Sequence, residues 1–334
     1  MKNASRKSKS SKIMKIVYEE GHSVHVPTRE IENGEWIENP EKPERIESIK
    51  ESLLRDFASN FVRAKQFPDT YLYMVHSEEY VSWLKEKCSN LSEGSEYITE
   101  VFGHDRCFDT GTPVLKKTYE AARLALDVTL TAAEIVLFEE SFAYALTRPP
   151  GHHATGELSG GYCYFNNVAV AASFFMKHGI DRVSILDIDF HHGNGTQEIF
   201  YSTKNVQYVS IHGDPRIYYP WISGRANEVG INDGKGFNIN FPLGKASSWT
   251  EYKKALKTAV HEIENFSPRV LIVSLGFDTH RDDPVGDFAL EDKDYEEMGQ
   301  IISKVAPQIL FVQEGGYNPS ANARAACHFF SFLL

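Results

Sequence analysis

Residues 183–197 read VSILDIDFHHGNGTQ, and this stretch constrains the fold more than any other. It opens on an apolar run, Val183, Ile185, Leu186 and Ile188, the pattern of a buried strand. Polar residues break in where that strand should end. Asp187, Asp189 and His191 are spaced two apart, so an extended backbone turns them to one side. A carboxylate and an imidazole converging at a strand end suit a divalent metal of the zinc type. The glycines Gly193 and Gly195 let backbone pass close to such a site. A strand cap with one Asp–His hydrogen bond would use the same residues. The weight therefore falls on whether other parts of the chain supply matching pieces.

Strands alternate with helices along the chain. Apolar runs predict strands at 15–18, 142–146, 183–188, 206–211, 237–241, 270–275 and 309–312. Helical spacing predicts helices at 45–58, 77–86, 113–133, 167–178, 250–266, 291–305 and 321–333, with a capping-box pattern opening the second at Ser77. Long loops are expected at 21–43, 88–112 and 213–236. This alternation predicts an α/β fold: an open, mostly parallel central sheet with helices on both faces. In such sheets, sites lie beyond the carboxyl ends of the strands.

Composition narrows the class of partner. With 334 residues, 42% of them hydrophobic, the chain can bury a large core, and residues 14–334 read as one domain. The formal net charge of −11 argues against nonspecific binding of nucleic acid or an anionic membrane surface and is compatible with a cationic substrate. Four scattered cysteines form no C-x-x-C pair, so a reduced, cytoplasmic setting is expected. Residues 1–13 are basic and serine-rich, without the apolar segment of a secretory signal. They are expected to form a disordered tail, with Met14 a candidate for the original start.

The remaining polar pieces fall after successive strands. RPPGHHATGELSGGYCYFNN follows 142–146 and carries His152 and His153; His212 follows 206–211. GFDTHRDDP follows 270–275 and carries Asp278 and His280; QEGGYN follows 309–312 and carries Tyr317. All can meet at one rim. Asp189, His191 and Asp278 would make a three-ligand N/O site that leaves a position for water. Two carboxylates and one imidazole fit zinc but also iron(II), cobalt or manganese. His152 and His153 are both candidates for the general base and should titrate as a coupled pair. Asp187 and Asn194 are candidates for fixing their tautomers. Tyr317, preceded by Gly315 and Gly316, is placed to donate to an oxyanion. The run Arg281–Asp283 is expected to be a solvated loop.

RPPGHH, LDIDFHHGNGTQ, VSLGFDTH and EGGYN together resemble the zinc-dependent histone deacetylase family, which shares its fold with arginase. The resemblance runs from about Lys15 to the C-terminus. It implies Zn²⁺ on Asp189, His191 and Asp278, His153 as general base and then acid, His152 as its electrostatic partner, and Tyr317 as oxyanion donor. The implied reaction hydrolyses an acetamide to acetate and a free amine. The resemblance also implies a structural K⁺ held by Asp187, Asp189, His191, Ser210 and Ile211. Phe190, His192 and Asn194 do not supply the further carboxylates of a dimanganese arginase site, and Asn194 stands where some family members have aspartate.

Within the family, the acidic segment 30–44, GYCYFNN and IHGDPRIYYP are similar to the acetylpolyamine amidohydrolases. That similarity implies a small acylated amine as substrate, with acetyl-lysine in a protein as the alternative. It implies a narrow channel past Gly161, Tyr162, Tyr219 and Gly315, with Tyr218 an alternative to Tyr219. The segment 88–112 matches a loop used for homodimer formation and for narrowing the entrance. Its acidic residues Glu93, Glu96, Glu100, Asp105 and Asp109 would either attract distal ammonium groups or form a solvated face.

Overall fold

The inner strands of the central sheet divide their side chains between two cores, as a period of two requires when both faces are covered. In the strand Val270–Leu275, Leu271, Val273 and Leu275 enter one core and Val270 and Ile272 the other. In Gln308–Gln313, Ile309 and Phe311 oppose Leu310 and Val312 in the same way. A computed structural model describes residues 14–32, 34–99 and 105–334 of the chain, so the expected tail at 1–13 lies outside the described residues.

The sheet has eight strands: β1 (Met14–Val17), β4 (Phe61–Val62), β7 (Phe142–Ala145), β8 (Val183–Asp187), β9 (Val206–Gly213), β10 (Asn238–Leu243), β11 (Val270–Leu275) and β12 (Gln308–Gln313). Their order is β10-β9-β8-β11-β12-β7-β1-β4, and every adjacent pair is parallel. Two short antiparallel pairs stand apart, β2 (Arg29–Glu32) with β3 (Glu35–Glu38) and β5 (Glu96–Tyr97) with β6 (Val114–Leu115).

Helices α1 (Glu44–Phe57), α6 (Trp249–Phe266), α7 (Asp292–Ile302) and α8 (Pro319–Phe329) feed the core on one face. Helices α2 (Glu78–Asn90), α3 (Thr118–Phe138), α4 (Asn167–Lys177) and α5 (Asn194–Phe200) feed the other. The small residues Ala169, Ala171 and Ala172 of α4 are fully buried, which brings that helix close to the sheet. This is the three-layer α/β fold expected from the alternation, with the central sheet entirely parallel.

The departures from expectation are local. The segment 21–43 contains a 3₁₀ turn (Glu20–Val24) and the β2–β3 hairpin; the Asn33-Gly34 dipeptide is a hairpin signal, and Gly34 takes φ +83°. The segment 88–112 is likewise not all loop, because α2 continues to Asn90 and β5 lies within it. Ser77 caps α2, its hydroxyl accepting from the Tyr80 amide at 3.2 Å. Strand β9 continues to Gly213, so His212 lies inside a strand and not in the loop after one.

The topology selects a site. From β8 the chain passes outward to β9 and β10, then returns to β11 on the other side of β8. Loops leaving β8 and β11 therefore diverge, opening a crevice at their carboxyl ends.

Burial also sets a pH limit on the fold. His76, which accepts from the Asn166 amide at 2.9 Å, is held down to about pKa 3 by burial. The unfolded chain binds that proton near pH 6.5, so stability falls as pH drops from there toward 3, by about 2 kcal/mol at pH 5. Urea titrations at pH 7 and pH 5 should show His76→Gln losing about 2 kcal/mol less stability on acidification than the unmodified chain. Equal losses would exclude His76 as a source of acid sensitivity.

Candidate active site

Strand β8 delivers Asp187 at its last position, paired in register with Ser210 of β9 and Ser274 of β11. The chain then turns on its own carboxylates. The Asp189 amide donates to Asp187 Oδ1 at 3.2 Å, and the His191 amide to Asp189 Oδ1 at 2.9 Å. Asp278 arrives after β11 and accepts from the Phe190 amide at 2.9 Å; Asp189 Oδ2 accepts from the Gly315 amide at 2.7 Å. A β-carbon on Gly315 would lie 2.5 Å from Asp189 Oδ2 and 2.6 Å from Asp278 Oδ2, so only glycine lets this backbone approach.

The three side chains converge. His191 Nδ1 lies 3.0 Å from Asp278 Oδ2 and 3.4 Å from Asp189 Oδ1. One donor atom from each of Asp189, His191 and Asp278 lies within 4.8 Å of the others, and all three residues are buried. Burial, and then the charge on Asp189, push Asp278 up to about pKa 8. Burial opposes the charge on Asp189 too, but the imidazoles of His152 and His191 outweigh it and hold its carboxyl down. Two carboxylates buried side by side repel, and a divalent cation between them removes that repulsion. The donor set and its burial fit such an ion.

The two adjacent histidines are not equivalent. Their ring centroids are 4.0 Å apart. His152 Nδ1 meets Asp187 Oδ2 at 3.0 Å, and the Tyr208 hydroxyl donates to the same oxygen at 2.9 Å. Burial lowers the basicity of His152, but Asp189 and Asp187 more than reverse this and raise it to about pKa 10. His153 Nδ1 instead meets the neutral carbonyl of Asn194 at 2.7 Å. The Asn194 amide group donates to the His153 carbonyl at 3.3 Å, which orients the asparagine with its oxygen toward the ring. Burial, then the charges on His152 and His191, hold His153 well below the usual histidine range. The environment thus leaves one imidazole protonated and its neighbour neutral.

Tyr317 is held from its backbone. Its amide and that of Asn318 donate to Asp283 Oδ2 at 2.5 and 3.3 Å. The Arg45 guanidinium lies 4.5 Å over its ring. Asp283 is buried, which corrects the expectation of a solvated Arg281–Asp283 loop; Arg281 and Asp282 are exposed, but Asp283 anchors the tyrosine. His280 is buried and turned to Asp292 at 2.9 Å. His212 bonds Ser210 Oγ at 2.7 Å and the Gly224 carbonyl at 2.8 Å. Asp187, Asp189, His191, Ser210 and Ile211, the five residues expected around potassium, are all buried at the ends of β8 and β9.

Aromatic rings flank the approach. The Tyr219 ring stands edge-on to His153 at 4.9 Å, and the Tyr162 ring edge-on to Tyr317 at 5.5 Å. A β-carbon on Gly161 would lie 2.1 Å from the His153 ring. Tyr218 turns away, packing on Phe190 at 4.9 Å and donating to Asp287 at 2.6 Å, so Tyr219 is the one that faces the site. Of the acidic residues noted in 88–112, Glu93 and Glu96 pair with Lys116 and Arg29 at 3.7 and 3.4 Å. Asp105 is half-buried, Asp109 reaches the aromatic walls, and Glu100 lies outside the described residues.

Three participants escaped the sequence reading. Glu314 accepts from the Gly151 and His152 amides at 2.6 and 3.1 Å, fixing the histidine turn. Glu41 accepts from Arg45 Nη1 at 2.6 Å and Arg148 Nε at 2.9 Å, wholly buried. Arg45 in turn donates to the Glu314 carbonyl at 2.6 Å. Glu30 accepts from the Tyr162 hydroxyl at 3.2 Å. Arg148, inside RPPGHH, and Glu314, the first residue of EGGYN, stood in motifs that could have pointed to these buried groups.

A parallel α/β sheet with this ligand set and histidine pair at its switch point is the architecture of the arginase and deacetylase class. Residues 39–333 match the histone deacetylase domain, and the chain belongs to that family of hydrolytic deacetylases. It is 36% identical over 323 residues to acetylpolyamine amidohydrolase 2 of Pseudomonas aeruginosa, covering 91% of this chain and 94% of that protein. It is 32% identical over 323 residues to the acetylpolyamine amidohydrolase of Mycoplana ramosa, covering 91% and 95%. The crystal structure of acetylpolyamine aminohydrolase from Burkholderia pseudomallei superimposes with a TM-score of 0.89 at 33% identity, covering 96% and 98%. The HDA15 HD domain does so with a TM-score of 0.85 at 30% identity, covering 97% and 88%. The family is generally zinc-dependent.

Removing one partner from the buried triad should leave two guanidinium groups short of a counter-charge. Glu41→Gln is expected to lower unfolding free energy by about 3–5 kcal/mol in urea titrations. A loss below about 1 kcal/mol, typical of an exposed pair, would show that the triad does not hold this face together.

Proposed function

We propose that this chain is a zinc-dependent amidohydrolase that removes acetyl or other short acyl groups from small linear amines, acetylated polyamines foremost. The observation that carries the reading is the convergence of Asp189, His191 and Asp278 beside a histidine pair in which one ring meets the Asp187 carboxylate and the other the neutral Asn194 amide. The names of the relatives, matched over nine-tenths of the chain, support the substrate class. The net charge of −11 supports a cationic amine and gives no support to a nucleic acid or an anionic membrane as partner. One continuous sheet supports treating residues 14–334 as a single catalytic unit. No helix among the described residues is long and apolar enough to cross a membrane, and the four cysteines are free; both agree with a cytoplasmic setting.

A divalent ion held by these three side chains supplies a Lewis acid that polarises an acyl carbonyl and lowers the pKa of water. The protein's own groups do the rest. His153 takes the proton of the attacking water on Nε2, because Asn194 keeps Nδ1 protonated. It then gives that proton to the leaving amine. His152, charged against Asp187 and Asp189, stabilises negative charge as it develops. Burial and the neighbouring carboxylates keep the Tyr317 hydroxyl protonated, so it can donate to the oxyanion. Tyr162 and Tyr219 line a slot for a methylene chain, with Gly161 and Gly315 letting backbone close in on it. The proposal includes a structural K⁺ on Asp187, Asp189, His191, Ser210 and Ile211, and a homodimer.

Lysine deacetylation on proteins is the second reading, supported by the match to the histone deacetylase domain. Assays on acetylputrescine, acetylspermidine and an acetyl-lysine peptide separate the two. Equal or better turnover of the peptide would remove the polyamine preference. No turnover by metal-loaded protein would favour a binding module.

His153→Ala and Tyr317→Phe should each lower kcat by about 10²–10³-fold while bound metal, measured by elemental analysis, is retained. Asp278→Ala should lose the metal itself. Near-normal rates in either of the first two would break the assigned roles.

A further inference from the structure

The segment 105–112 joins pieces of the entrance that are far apart in the chain. Asp109 Oδ2 accepts two hydrogen bonds, from the Gly161 amide at 2.6 Å and from the Tyr219 hydroxyl at 2.7 Å. Asp109 Oδ1 accepts from the Gly111 amide at 3.1 Å, which turns the segment on itself. Phe108 stacks on Tyr219 with centroids 6.1 Å apart and planes at 15°. The same ring closes over Gly160, where a β-carbon would lie 2.3 Å from it.

The turn that carries Tyr162 needs such support. Gly161 and Tyr162 both take the left-handed conformation, with φ +56° and +65°, which a tyrosine seldom adopts. Consecutive residues of this kind point both amides outward. Asp109 receives the amide of Gly161, and Thr112 Oγ1 that of Tyr162 at 2.9 Å. The Tyr162 hydroxyl is received by Glu30. One carboxylate oxygen is therefore shared by the turn that carries Tyr162 and by the ring of Tyr219. The two donors can be no further apart than the sum of those two short bonds.

We propose that Asp109 is a positioning residue that fixes the spacing of the two aromatic walls, and so confines the channel to slender, unbranched acyl-amines. The proposal rests on the deacetylase reading for its substrate and on the loop geometry for its mechanism. Asp109 acts through Tyr219 and Gly161, and its accepting oxygens are turned to protein donors, not to the substrate. Charge-assisted bonds are stronger than neutral ones, and partial burial strengthens them further, so one carboxylate can hold both walls.

The test uses Asp109→Asn, Tyr219→Phe and the double variant in the full chain. Tyr219→Phe removes the tie but leaves the Asp109 charge and the ring. Both single variants should raise KM for acetylputrescine about tenfold, with a smaller change in kcat, and reduce the preference for it over the wider N-acetylbenzylamine by a similar factor. The double variant should be no worse than the more affected single one, because both remove the same link. Hydrogen exchange should quicken about tenfold at residues 159–163 and 217–222 in both single variants. A KM effect confined to Asp109→Asn, and only for amines with a second ammonium group, would make Asp109 a direct cation contact and overturn the proposal. Unchanged exchange in both variants would also overturn it. If the unmodified chain turns over no acyl-amine, the deacetylase reading fails, while the exchange data still judge the tie.

Discussion

Two carboxylates buried against each other, Asp189 and Asp278, set the terms for the rest of this structure. Their charges repel in a low-dielectric interior, where such pairs are far more costly than in water. The surroundings are built to hold them there. Three backbone amides, from Phe190, His191 and Gly315, point at their oxygens. A β-carbon on Gly276 or Gly315 would collide with Asp189, so backbone and carboxylate are packed as tightly as glycine permits. A fully parallel sheet makes this arrangement possible. It buries apolar side chains on both faces, each stabilising by about 1.5–3 kcal/mol, and leaves its strand ends as the place where polar groups can gather.

The same constraint explains the split histidine pair. His152 faces Asp187 and Asp189, so its proton is held; His153 has no carboxylate on Nδ1 to offset burial and the charges on His152 and His191, so its proton is not. An aspartate at position 194 would put a charge beside His153 as well and draw the two rings closer in basicity. Behind the pair, the Glu41 carboxylate receives both Arg148 and Arg45, and Arg45 also donates to the backbone carbonyl of Glu314, whose carboxyl burial raises to about pKa 7 while the His152 charge pulls the other way. The backbone of the histidine turn is thus fixed by a buried carboxyl that accepts two of its amides.

What could be read in the sequence followed one physical rule. Asp189, His191, Asp278, His152, His153 and Tyr317 each lie in the loop that follows an apolar strand, so locating the strands located them. The groups that stayed hidden reach their partners across the fold. Glu41 meets Arg148 over 107 positions and Asp109 meets Tyr219 over 110. No local pattern encodes such a pairing, because an acidic residue in a loop looks the same whether water or a buried guanidinium receives it. Asp283 shows this most clearly: its neighbours Arg281 and Asp282 are solvated, and only the fold reveals that its carboxylate receives the Tyr317 amide. The β2–β3 hairpin was hidden for a different reason. Its strands are polar on both faces, so period and hydrophobicity gave no contrast even though Asn33-Gly34 marked the turn.

The site therefore has two kinds of support with different stiffness. Asp189, His191 and Asp278 hang from central strands paired on both sides, where displacement would break ladder bonds and open the core. The aromatic walls hang from loops, and side-chain ties to Asp109, Thr112 and Glu30 hold them. The division follows from the fold: the sheet fixes the converging side chains through its ladders, and side-chain bonds from loop residues fix the aromatic rings beside them, so a change in those loop residues can move the rings without moving Asp189, His191 or Asp278.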